Sequence, residues 1–235
     1  MQLVTRAHVL RWMRALTLRT LALFLAAVVA SIVFVVIARE LKLPAFDHLD
    51  KQVELAVHKL DSTPADLIAA TATFVGSNFV IIPMVVFLVG LAAYRKQRVA
   101  AIVLALDAVT VILSNEYLKT IFARPRPTLF EKIPLPTDYS FPSGHAMSAV
   151  GVWGVIAAVL IALYPASRRT IIIGACVLIP LIGLSRIYFG VHWPFDVIGG
   201  FLGGTPALIV SVHLIHRRNR TDRTLAHLIE AVEAP

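Results

Sequence analysis

The stretch FPSGHAMSAVGVWGVIAAVLIALY, residues 141–164, joins a proline-rich loop to an apolar run. From Met147 to Tyr164 nothing is charged, and the run approaches the ~20 residues an α-helix needs to cross a hydrocarbon core of ~30 Å. Five further runs lie on either side of it, near Leu21 to Ala38, Leu67 to Ala93, Val99 to Phe122, Ile171 to Leu184 and Phe195 to Ile215. Over 235 residues the chain is 58% hydrophobic and 15% charged, which excludes an ordinary soluble domain. The expected fold is all-α: a polytopic membrane protein whose six transmembrane helices form one bundle, because helices satisfy their own backbone hydrogen bonds in lipid. No repeat or second domain interrupts it, so residues 1–235 read as a single membrane domain. The run from Ile171 is the shortest and borrows polar residues at its ends. Gly76, Ser77 and Asn78 predict a break in the second.

Charge sets the expected orientation. Arg6, Arg11, Arg14 and Arg19 precede the first run, placing the N-terminus in the cytoplasm by the positive-inside rule. Six crossings return the C-terminus to that side. Arg95, Lys96 and Arg98, then Arg168 and Arg169, then Arg217, Arg218, Arg220 and Arg223, agree with this. The expected location is therefore the cell's inner (cytoplasmic) membrane, with residues 39–66, 123–141 and 186–194 facing outward. A net charge of +8 spread over loops beside membrane spans reads as orientation, so no nucleic-acid partner is expected. The first run lacks a clear A-x-A site and is read as a retained span. Cys176 is the only cysteine, so no intrachain disulfide or CxxC site exists, and it is read as buried packing.

Five cations break the orientation rule: Lys119, Arg124, Arg126, Lys132 and Arg186 fall at the outer side. Outer cations need a local reason, and a bound anion is one, since arginine offers a planar fork for phosphate oxygens and lysine a point charge. Pro142 ends the loop, Ser143 suits an N-cap, and Gly144 lets backbone N–H groups approach a ligand. The helix that follows should open on a positive, donor-rich end suited to phosphate, with His145 in its first turn. In SRIYFGVHWPFD, residues 185–196, His192 and Asp196 stand four apart around Pro194. The carboxylate is placed to fix the tautomer of His192 and free its other nitrogen as a nucleophile, with His145 as a separate general acid.

Lys119 and Arg126–Pro127 in KTIFARPRP, Pro142 to His145 in PSGH, and Ser185, Arg186, His192 and Asp196 in the third stretch resemble the three signatures of the type 2 phosphatidic acid phosphatase superfamily. Every constrained identity is present and in order. The resemblance anchors residues 119–196 and implies a metal-independent phosphatase without a cofactor. It implies that His192 forms a phosphohistidine, that Asp196 orients it, and that His145 protonates the leaving group and later helps activate water. Lys119, Arg126, Arg186, Ser143 and the Gly144 turn would hold the phosphate oxygens. The implied substrate is a membrane lipid phosphate or diphosphate, with undecaprenyl diphosphate, phosphatidic acid and phosphatidylglycerol phosphate as candidates. A phosphotransferase using the same phosphohistidine is the alternative, and a non-enzymatic lipid transporter is a further one.

Other residues receive plainer readings. Arg124 is off-signature and supplements the anion site, and Lys132 is a solvated loop charge. Glu116 either positions Lys119 or forms an exposed pair. Asp107, mid-helix in an apolar run, is expected to bond to a neighbouring helix. Trp153 and Trp193 anchor at interfaces or pack near the pocket. Phe46, Leu49, Val53, Val57 and Leu60 predict a helix lying on the membrane surface and covering the bundle. Leu225, Leu228, Ile229 and Val232 suggest an interfacial tail. The remaining histidines, including His58, are read as structural.

Overall fold

The computed structural model describes the backbone of residues 6–130 and 132–233, and the side chains of residues 18, 20–130 and 132–218. The side chains of Arg6, Arg11, Arg14, Arg19, Arg220, Arg223 and the tail apolar residues lie outside these. The described residues are helical throughout their regular structure. In order come α1 (Arg6–Glu40), α2 (Pro44–His58), α3 (Thr63–Val75), α4 (Asn78–Tyr94) and α5 (Arg98–Phe122). After a loop follow α6 (Gly144–Leu163), α7 (Arg168–Tyr188) and α8 (Pro194–Glu233).

Five stretches are long and apolar enough to cross a membrane: Thr20–Glu40, Arg98–Phe122, Gly144–Leu163, Pro165–Tyr188 and Pro194–Arg218. Helices α3 and α4, bent by 47° at their junction, pass the same test only together, and make a sixth if the pair is one broken span. The break falls at Gly76 and Ser77, as the sequence predicts. A Cβ on Gly76 would stand 2.5 Å from Ile182 Cγ2 and 3.2 Å from His145 Cδ2, so the bend lets this span touch both α7 and the start of α6. The carbonyl of Val75 accepts a bond from Trp153 Nε1 at 3.2 Å, which answers the polar group left at the break.

The core is aliphatic. Ile81 and Leu88 of α4, Leu104 and Val111 of α5, Val152, Val155 and Val159 of α6, and Ile215 of α8 are buried together. Small residues set the α6–α8 seam: a Cβ on Gly200 would meet Ser143 O at 2.6 Å, and one on Gly204 would meet Met147 O at 2.5 Å. Backbone therefore packs on backbone, as lipid-embedded helices do when glycines recur every four residues. Asp107 accepts a bond from Ser211 Oγ of α8 at 2.8 Å, the interhelical bond expected of it. It lines an apolar cavity of about 580 Å³ between α1, α5 and α8. Cys176 departs from expectation: it is exposed on α7, whose inward face is taken by residues such as Ile182 and Ser185.

The two ends of the bundle differ. At one, Arg95 lies over the ring of Tyr164, 5.7 Å from its centre, joining the α4–α5 and α6–α7 turns. The other gathers α2, the 123–143 loop and residues 189–193. Here the expected surface helix forms, but its inner face is not the apolar stripe alone. Phe46 stacks on Phe195 at 4.4 Å between ring centres, while Asp50 and Glu54 are both fully buried and Leu49 and Leu60 are exposed. Lys132 is clamped, not solvated: Nζ donates to Asp61 at 2.6 Å, Asp66 at 2.7 Å and Tyr188 Oη at 3.0 Å. Burial favours an uncharged amine, but these partners outweigh it and hold Lys132 above the usual lysine range. His58 stacks on Phe130 with ring centres 3.9 Å apart, in keeping with a structural histidine. Gly190, at φ +66°, turns the chain beside that ring in a conformation that side chains disfavour.

Candidate active site

Three elements converge on one cavity of about 240 Å³ at this end of the bundle. Lys119 comes from the last turn of α5, His145 and Gly144 from the first turn of α6, and Arg186 from the last turn of α7. Arg126 and His192 enter from the loops that follow α5 and α7. Six of the eight residues that the sequence singles out therefore line it. Ser143 and Asp196, both fully buried, stand behind the wall.

The geometry around His192 is specific. Arg126 Nη1 lies 3.2 Å from His192 Nε2 and donates to Val191 O at 2.6 Å. His192 Nδ1 faces Asp196 Oδ2 at 3.5 Å without a hydrogen bond between them. Oδ2 also accepts the Trp193 backbone N–H at 2.9 Å. Burial, followed by the charges of Arg126, Arg186 and Lys119, holds the His192 imidazole well below the usual range, so the ring is neutral at physiological pH.

Ser143 occupies the N-cap position of α6, yet its hydroxyl caps nothing. Among the described residues Ser143 Oγ, His145 Nε2 and Arg186 Nε are buried without a hydrogen-bond partner. Leaving such groups unpaired costs roughly 1–3 kcal/mol each. Arg186 is fixed through Nη1 to Thr73 Oγ1 at 3.1 Å, and Thr73 shares a 2.7 Å bond with Ser185. Cations from three directions, a helix N-terminus and unpaired donors are what a tetrahedral oxyanion requires.

Some of the site escapes sequence reading. Asn115 lies on the face of Lys119, one turn earlier; its Nδ2 donates to Pro142 O at 3.1 Å, and a Cβ on Gly144 would stand 2.8 Å from its Oδ1. Its polarity within an apolar run was the available signal. Asp138 pairs with Lys119 and accepts from Arg126 Nη2 at 2.5 Å. Burial would raise its carboxyl, but these two cations outweigh that and hold it at about 2. Arg124 is corrected: it does not line the cavity but binds Asp50 and Asp196, each at 2.6 Å. Glu116 lines the cavity mouth without bonding Lys119, whose partner is Asp138. Trp193 packs beside the site and donates to Pro125 O at 3.1 Å.

The profile of the PAP2 superfamily matches residues 97–220, just over half of the chain. The chain belongs to the PAP2 superfamily. Phosphatidylglycerophosphatase B of Bacillus subtilis is 30% identical over 172 residues, covering 72% of this chain and 84% of that protein. The crystal structure of a transmembrane PAP2-type phosphatidylglycerolphosphate phosphatase from Bacillus subtilis superposes with a TM-score of 0.76 at 28% identity, over 81% of this chain and 96% of that one. An undecaprenyl-diphosphatase of Sulfolobus acidocaldarius is 33% identical over 144 residues, 59% of this chain and 65% of that protein. This PAP2 chain is thus a multi-pass membrane enzyme of the phosphoric ester hydrolase type.

Proposed function

We propose that this PAP2 chain hydrolyses a membrane lipid phosphate or diphosphate without a metal ion, through a phosphohistidine on His192, at the outer face of the cytoplasmic membrane. The observation that carries the reading is the placement of a neutral His192 Nε2 3.2 Å from the Arg126 guanidinium, in a cavity that Lys119, Arg186 and His145 also line. Nε2 attacks phosphorus while the bond to the leaving oxygen breaks, and His145 gives that oxygen its proton. Water then attacks the phosphohistidine, His145 takes a proton from it, and phosphate leaves with Nε2 restored. Asp196 faces Nδ1 and keeps its proton there. Lys119, Arg126, Arg186, Ser143 and the amides from Gly144 onward neutralise the equatorial oxygens, the part a metal plays elsewhere.

The printed activities of the relatives, on phosphatidylglycerophosphate and undecaprenyl diphosphate, support a lipid substrate. So does a cavity walled by membrane spans, with Gly76, Asn78, Ile112 and Glu116 beside it. The basic residues Arg95, Lys96, Arg98, Arg168 and Arg169, in the loops at the opposite end, support the outward face.

Purified protein with EDTA present should release phosphate from phosphatidic acid, phosphatidylglycerol phosphate or undecaprenyl diphosphate. His192→Ala should release none, and His145→Ala should lower kcat by ~10²–10⁴. Activity lost to EDTA, or retained by His192→Ala, overturns the mechanism.

A further inference from the structure

The Asp196 carboxylate is held on both oxygens. Oδ2 serves Trp193 N–H and faces His192, whereas Oδ1 accepts Arg124 Nη1 at 2.6 Å. The other arm of that guanidinium, Nη2, donates to Asp50 Oδ2 at 2.6 Å, and Asp50 Oδ1 accepts the Phe195 backbone N–H at 2.9 Å. Asp50 and Asp196 are fully buried, and the side chain of Arg124 is 10% exposed. The guanidinium lies over the Trp193 ring, 5.6 Å from its centre. One planar fork thus spans two carboxylates from different helices, an arrangement that a lysine can match in charge but not in its two-armed geometry.

We propose that Arg124 and Asp50 are positioning residues that hold Asp196 ionised and turned toward His192, making α2 a working part of the active site. The inference rests on the phosphohistidine reading above. Arg124 is the one cation bonded to either aspartate among the described residues, and it sits between the buried carboxylates of Asp50 and Asp196. Without Arg124 this group of buried acids has no counter-ion, a proton moves onto it, and Asp196 ceases to fix the His192 tautomer. Arg124 lies outside the phosphate cavity, so the loss falls on turnover and not on phosphate binding.

The test uses full-length protein in detergent with dioctanoyl phosphatidic acid as substrate and vanadate as the phosphate-site probe. Arg124→Gln should lower kcat roughly 10–100-fold with KM and vanadate inhibition little changed, the scale of a misplaced catalytic group. Arg124→Lys should recover part of that loss. Asp50→Asn, isosteric and still able to accept from Phe195, should lower kcat less, and the Asp50→Asn/Arg124→Gln double variant should be no worse than Arg124→Gln alone. Arg126→Gln serves as the contrast, weakening vanadate inhibition. Unchanged kcat in folded Arg124→Gln and Asp50→Asn overturns the proposal. So does vanadate inhibition weakening in step with kcat, or equal loss in Arg124→Gln and Arg124→Lys. Phosphate release by wild type that survives His192→Ala would instead sink the underlying mechanism.

Discussion

Lys119 and Arg126 share Asp138, an anion supplied by the chain itself at the place where phosphate oxygens are proposed to bind. Because that carboxyl is held at about 2, below its ordinary 3.8, it stays charged across any assay range. Its contribution to stability is complete above the ordinary value and lost as pH falls through about 2. Its side chain is 41% exposed, so the competition is worth only ~0.5–1 kcal/mol after solvent screening. Asp138→Asn should therefore strengthen inhibition by inorganic phosphate about 2- to 5-fold, measured as Ki at neutral pH. The signature cations are readable in sequence because their spacing is fixed. Asp138, twelve residues from Arg126 in an irregular loop, carries no comparable mark, and only the fold of that loop brings it to them.

At the scale of the element, α2 shows how far periodicity reaches. Its length and repeat predict a helix, and a helix forms, yet the pattern does not foretell that Asp50 and Glu54 point inward. Hydrophobic spacing assumes that the buried face is apolar, and here a partner arginine from the next loop overrides that. Glu54 has both oxygens buried without a partner, and burial, then the charges of Asp50 and Asp196, raise it to about 8. The folded protein thus binds a proton that the unfolded chain releases near 4.5, and stability falls as pH rises from there to about 8. Glu54→Gln should flatten this dependence, gaining ~1–3 kcal/mol over wild type near pH 8 and little at pH 5, read as Tm against pH. The break between α3 and α4 is the opposite case, since Gly76, Ser77 and Asn78 announce it directly. The partner that completes it, Trp153 some 78 residues on, is visible only in the fold.

For the whole molecule, sidedness is the property to measure. In a Cys176→Ser background, Leu60→Cys should react with a membrane-impermeant maleimide in intact cells, and Gln97→Cys only after lysis. The reverse pattern would place the catalytic end in the cytoplasm. The sequence alone determined that the chain crosses a membrane repeatedly as helices, because apolar length in lipid admits few other solutions, and through their spacing it singled out the residues proposed to handle phosphate. Only the tertiary structure decided what surrounds them: Asp138 on the cations, Asn115 under the Gly144 turn, and Arg124 behind Asp196 instead of in the cavity. Spacing along a chain fixes which residues share a local turn or helix face. Contacts between α2, the 123–143 loop and α8 depend on how separate elements pack, and a buried charge takes its role from the partner that packing gives it.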